Sequence, residues 1–179
     1  MTQAARGPLD GVKVLELGSL IAGPYAASVL AQFGAEVIKV ETPGDGDPLR
    51  KWRKLHDGTS LWWYSQSRNK KSITLNLRDE RARAIVRDLV KDADILIENF
   101  RPGTLEKWGL GWEDLSRVNP SLVMVRVSGY GQTGPYMDRR ASRRSRSRSA
   151  ACATSPGIPI VRPCASASAS ATRSHRCTA

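Results

Sequence analysis

The sequence predicts an α/β fold: a Rossmann-like, mostly parallel sheet with flanking helices, confined to residues 1–138. Three observations carry that expectation. Apolar runs of strand length alternate with segments whose apolar residues recur at helical spacing, the pattern of βα units. Gly or Pro punctuates the ends of these runs. The first strand–helix–strand unit fits within about 30 residues, the length of a right-handed crossover between parallel strands.

Taken in chain order, residues 12–17 (VKVLEL) form a short apolar strand stopped by Gly18. Residues 22–33 read as a helix, with Pro24 in the first turn, where a missing N–H costs nothing, and Gly34 closing the far end. Residues 37–41 (VIKVE) are the second strand. Residues 71–77 (KSITLNL) alternate with period two and suit a half-buried strand. Asp79 can cap the next helix, whose apolar stripe is Ala82, Ile85, Val86, Leu89 and Val90. Residues 93–98 and 121–127 supply two more strands, and residues 112–115 a short helical segment that ends near Asn119-Pro120. Ligands of such sheets bind on the loops beyond the carboxyl ends of the strands, here residues 18–23, 42–47, 99–103 and 128–134. The same loops also read as plain tight turns. No GxGxxG or Walker A motif occurs, so neither a dinucleotide nor a P-loop nucleotide site is supported.

Composition breaks at Arg139. Residues 139–179 are rich in Arg, Ser and Ala and contain no aromatic residue, Lys, Asp or Glu. Their nine Arg account for most of the whole-chain +11, leaving +2 for residues 1–138. Basicity therefore says nothing about the partners of the globular part. All three cysteines, Cys152, Cys164 and Cys177, fall in this tail with no CxxC pair and one nearby histidine, His175, so no metal site is expected. The amino terminus lacks an apolar signal core and no run is long enough to span a bilayer. The expectation is a soluble, cytoplasmic protein with incidental thiols and no membrane partner.

Residues 8–16 (PLDGVKVLE), 22–24 (AGP) and 34–41 (GAEVIKVE) resemble the amino-terminal signature of family III CoA-transferases. That group includes formyl-CoA and carnitine CoA-transferases and α-methylacyl-CoA racemases. Residues 69–77 (NKKSITLNL), 93–103 (ADILIENFRPG) and 128–136 (SGYGQTGPY) extend the match in order along the chain. The resemblance implies that residues 1–138 are an incomplete large domain of that fold, holding CoA in the form of an acyl-CoA substrate. By position, Ala22, Leu75, Arg78, Asn99, Phe100, Arg101 and Lys107 look like the family's CoA-contacting residues. Arg78, Arg101 and Lys107 have the charge to neutralise the diphosphate and 3′-phosphate, and Leu75 and Phe100 offer apolar surface to adenine or the pantetheine arm. Each cation also reads as a solvated surface charge, and Leu75 as a core residue. Gly129, Gly131 and Gly134 resemble a glycine loop that in transferases closes over the thioester intermediate. The resemblance further implies a carboxylic acid as co-substrate, no metal, and interlocked homodimers of chains longer than this one.

Transferases of that family use an Asp nucleophile, through a mixed anhydride and an enzyme thioester; the racemases move the proton α to the thioester carbonyl with an acid–base pair. Both place the key Asp beyond the point matching Asp138, where this chain has no carboxylate side chain. The chain as written is expected to be inactive. Arg, Ala, Ser, Pro and Cys are what GC-rich codons give out of frame. Reading residues 139–179 one base over permits an apolar helical pattern, a Pro-rich turn and a Gly-Asp-Ser, the sequence in which the family's transferases carry the nucleophile. A one-base deletion near the Arg139 codon accounts for the tail. The rival reading takes residues 143–149 (RRSRSRS) as a disordered RS-type segment that binds RNA phosphates. It lacks the interleaved aromatics that stack bases, so nucleic acid is not expected as a partner. A non-catalytic CoA-binding module is a third reading, with no positive signal of its own.

Overall fold

The computed structural model describes residues 7–137 and 139. The expected disorder of the tail, its three cysteines and its RS run therefore lie outside the described residues.

Five strands form one sheet: β1 (Lys13–Glu16), β2 (Glu36–Glu41), β5 (Lys70–Thr74), β6 (Ile95–Glu98) and β7 (Val123–Arg126). Their order is β5-β2-β1-β6-β7 and every neighbouring pair is parallel. The chain steps outward from β1 through β2 to β5, then returns past β1 to lay down β6 and β7. The reversal lies between β1 and β6, and that is where such sheets leave a crevice at their carboxyl edge.

Helices cover both faces. On one, Leu15, Leu17, Val40 and Leu96 pack against Val86 and Val90 of α3 (Glu80–Lys91) and against Leu105, Leu110 and Leu115 around α4 (Thr104–Lys107) and α5 (Trp112–Val118). On the other, Val14, Val37 and Ile97 meet Ala27 and Ala31 of α1 (Ala22–Gln32). Successive strand residues thus serve opposite cores, which is why these strands read as near-continuous apolar runs. The Asp79 carboxylate accepts a hydrogen bond from the Arg81 N–H, capping α3 as the sequence predicts.

Two features depart from expectation. Residues 48–66, unread as structure from the sequence, fold into a 3-10 turn (Pro48–Lys51), a small hairpin of β3 (Leu55–His56) and β4 (Thr59–Ser60), and α2 (Leu61–Gln66). Two-residue strands and a six-residue helix are too short to show a period. Ile85, assigned to the apolar stripe of α3, is 45% exposed. It faces an open cavity of about 410 Å³ that Leu15, Ile38, Leu89, Glu36 and Asp92 also line. This cavity sits at the amino edge of the sheet, opposite the predicted site. β7 is an edge strand whose Val123 and Val125 are 56% and 36% exposed. Among the described residues no helix is long and apolar enough to cross a membrane.

Candidate functional site

All the predicted site residues follow the carboxyl ends of strands, because the strands are parallel. Ala22 opens α1 after β1, and Leu75 and Arg78 follow β5. Asn99, Phe100 and Arg101 follow β6, Lys107 ends α4, and Gly129, Gly131 and Gly134 follow β7. Three strand spacings separate β5 from β6, roughly 14 Å of sheet edge, so Arg78 is not a direct neighbour of Arg101. The set suits an extended ligand lying across the edge better than a compact one.

The centre of the site is the turn between β1 and α1, at the switch point. Asn99 braces it from β6: the Ser19 N–H donates to Asn99 Oδ1 and Asn99 Nδ2 donates to the Ser19 carbonyl, both at 2.8 Å. Gly18 and Gly23 are needed for this approach. A Cβ on Gly18 would lie 3.0 Å from both Asn99 Oδ1 and the Gly23 Cα, tighter than side chains ordinarily pack. Asn99 is thus occupied in shaping the turn. Phe100 is half-buried and packs edge-on against Trp108, with ring centroids 5.5 Å apart. Leu75 is half-buried against the larger core, so its apolar surface is only partly available. Arg78, Arg101 and Lys107 are exposed. Gly131 and Gly134 adopt φ of 84° and 92°, and the Ser128 hydroxyl donates to the Gly131 carbonyl at 2.8 Å.

Sequence reasoning missed a layer of buried charge directly beneath these loops. Glu16 is fully buried and accepts from Lys39 Nζ and Lys70 Nζ, each at 2.7 Å. Lys39 also pairs with Asp47 at 2.7 Å and donates to the Gly18 carbonyl at 3.0 Å. Lys70 donates to the Pro24 carbonyl at 2.7 Å. Burial lowers the pKa of Lys70, and Glu16 opposes that shift. Beside β6, Glu98 accepts from Arg126 Nε (2.8 Å) and from the Phe100 N–H (2.7 Å), and Arg126 reaches Glu106 of α4 (2.6 Å). One signal was available in the sequence. Glu16, Lys39, Glu41, Glu98 and Arg126 each interrupt an apolar strand near its carboxyl end, and a charge there must be paired.

Glu41 shows what this layer contributes to stability. Burial alone would raise its pKa, but hydrogen bonds from Arg50, Ser72 and the Asp47 N–H lower it from 4.5 to about 2. A depressed carboxylate stabilises the fold above its unfolded value and loses that contribution as pH falls from about 4.5 towards 2. The difference corresponds to roughly 3 kcal/mol before discounting for the part-exposed Arg50. Urea unfolding at a series of pH values should show this loss, and Arg50→Met should flatten it. An unchanged profile in that variant would assign the acid sensitivity elsewhere.

Among the described residues no group of His, Cys, Asp and Glu is arranged to hold a metal. A family model described as CoA-transferase family III matches residues 9–163. The chain is 60% identical over 133 residues to succinyl-CoA–D-citramalate CoA-transferase of Chloroflexus aurantiacus, covering 74% of this chain and 33% of that protein. It is 45% identical to human succinyl-CoA:glutarate CoA-transferase, covering 74% of this chain and 30% of the relative. Among solved structures, a CaiB/BaiF family protein from Brucella suis superposes with a TM-score of 0.70 at 43% identity, over 75% of this chain and 37% of that one. The chain spans about a third of the length of the curated relatives it matches.

Proposed function

Because the chain belongs to CoA-transferase family III, we propose that it is the acyl-CoA-binding amino-terminal part of an enzyme that moves CoA from an acyl-CoA thioester to a carboxylic acid. The observation that carries this is the carboxyl edge itself. A turn at the switch point is held by buried and half-buried side chains, and exposed Arg78 and Arg101 stand on flanking loops with exposed Lys107 at the end of α4, as an elongated polyanion requires. The relatives named for succinyl-CoA support a short dicarboxylyl-CoA donor and a dicarboxylic acceptor. They also favour transferase chemistry over the racemase and RNA-binding alternatives.

In the complete enzyme an Asp carboxylate attacks the thioester carbonyl and CoA thiolate leaves, forming a mixed anhydride. The thiolate then attacks the enzyme's own carbonyl, releasing the donor acid and leaving CoA as an enzyme thioester. The acceptor carboxylate repeats the exchange and departs as the new acyl-CoA. Gly129, Gly131 and Gly134 cover the intermediate. The 179-residue chain has no carboxylate side chain after Asp138 to serve as that nucleophile. The named relatives cover 74% of this chain although the family model runs on to residue 163, and we read residues 139–179 as out-of-frame translation of a longer, cytoplasmic, interlocked homodimeric enzyme, so that this chain binds CoA without transferring it.

CoA titration into dilute protein, read by Trp fluorescence, tests the binding step, since Trp108 packs on Phe100. Arg101→Ala should weaken CoA about tenfold, the loss of one charge-assisted contact, and binding of the parent should weaken with salt. Equal affinity of parent and variant would remove Arg101 from the site.

A further inference from the structure

Leu20 lies in the switch-point turn with φ of 68°, left-handed and strained for a residue with a branched side chain. Its N–H donates to Asp47 Oδ1 at 3.0 Å. The same oxygen accepts from the Leu49 N–H at 2.8 Å, and Asp47 Oδ2 pairs with Lys39. The Asp47 residue is 3% exposed, and Lys39 in turn holds the Gly18 carbonyl. Asn99 on Ser19 and Lys70 on Pro24 add further side-chain contacts from other elements, beside the local Tyr25 N–H to Ile21 carbonyl bond of 2.8 Å. Among the described residues, Asp47 is the side chain that takes the Leu20 N–H, the amide of the residue whose backbone resists the conformation.

We propose that Asp47 is a positioning residue for the acyl-CoA site: its carboxylate holds Leu20 in the left-handed conformation and so sets where Ser19 to Ala22 meet the ligand. The role rests on the CoA-binding function proposed above. Asp47 is buried beneath the turn. It acts through the Leu20 amide, and the energy it stores there is the strain of one non-glycine residue at positive φ.

The test is CoA affinity of the full 179-residue chain, measured by Trp fluorescence at high dilution. Asp47→Ala should weaken CoA about tenfold, the population cost of a left-handed non-glycine residue without its hydrogen bond. Adding Leu20→Gly, which abolishes the backbone preference, should restore most of that loss. A merely structural role for Asp47 predicts the opposite, because a new glycine cannot repair a damaged core. Asp47→Asn keeps the oxygen that serves Leu20 and Leu49, so it should bind CoA better than Asp47→Ala. Should Asp47→Ala fail to fold, Leu20→Pro forces φ negative with the ion cluster intact and should show the same tenfold loss.

Failure of Leu20→Gly to recover affinity, or parental affinity in Leu20→Pro, overturns the role. Hydrogen exchange of the ligand-free chain separates this from failure of the functional reading. A Leu20 amide that loses protection in Asp47→Ala establishes the pin. With that pin present, a parent chain that binds no CoA overturns the function and leaves Asp47 no ligand to position.

Discussion

The 179-residue chain is expected to transfer no CoA from any acyl-CoA to any carboxylic acid, while a gene carrying one inserted base near the Arg139 codon and read to its natural stop gains turnover. The expected effect is all-or-none, because covalent exchange has no route without a carboxylate to attack the thioester. Within the restored Gly-Asp-Ser, changing the Asp to Ala should abolish the covalent intermediate. It should leave CoA affinity within a few-fold, since the nucleophile acts on the acyl group and not on the nucleotide. Succinyl-CoA with dicarboxylic acceptors is the assay to run first, and the coding DNA across residues 130–179 is the control. Turnover by the unrepaired chain, or a prompt stop codon in the repaired gene, rejects the frameshift. The RS-type segment should then be assayed for RNA binding across a salt series.

The second large effect is on stability. Glu16→Ala should cost about 3–5 kcal/mol, because it strands two buried ammonium groups, Lys39 and Lys70, with Asp47 as their one remaining carboxylate within contact. Domains of ordinary stability have about 5–15 kcal/mol in total, so the variant should be largely unfolded well below the parent's melting temperature. Glu16→Gln, which keeps an acceptor but no charge, should fall between the two. Urea titrations of the three proteins measure the series. A loss under about 1 kcal/mol for Glu16→Ala would mean that water reaches these ammonium groups and that the cluster is not the clamp described above.

Much of the fold was legible because its signals are local. The strands at β1, β2, β6 and β7 are apolar runs bounded by turns, and α1 and α3 declare themselves by Pro24 in a first turn and Asp79 at a cap. The sequence missed the hairpin and α2, whose pieces are shorter than any period. Ile85 sits on the apolar face with Leu89 but stays 45% exposed beside an open cavity, because helical spacing gives the angle of a side chain and not how closely the opposite wall approaches. The site divides the same way. Its loops were predictable from parallel topology, and the exposure of Arg78, Arg101 and Lys107 fits both the CoA-contacting and the solvated-surface reading of each cation. The Asp47–Leu20 contact was not, since it joins positions 27 apart through a backbone angle that composition does not encode. Nor was the occupation of Asn99 by Ser19, across 80 residues. Side chains that hold loops in place leave no periodic trace.

The exposed Val123 and Val125 on the edge strand β7 should govern how this polypeptide behaves in bulk. Among the described residues no strand pairs with the outer side of β7, and an open apolar edge recruits another like it, so the dissolved form should be lost by encounters between two molecules. Its lifetime then shortens with concentration: doubling the protein quadruples the rate at which it is lost. How much competent material a preparation holds becomes a matter of history, of how crowded the chains were and for how long.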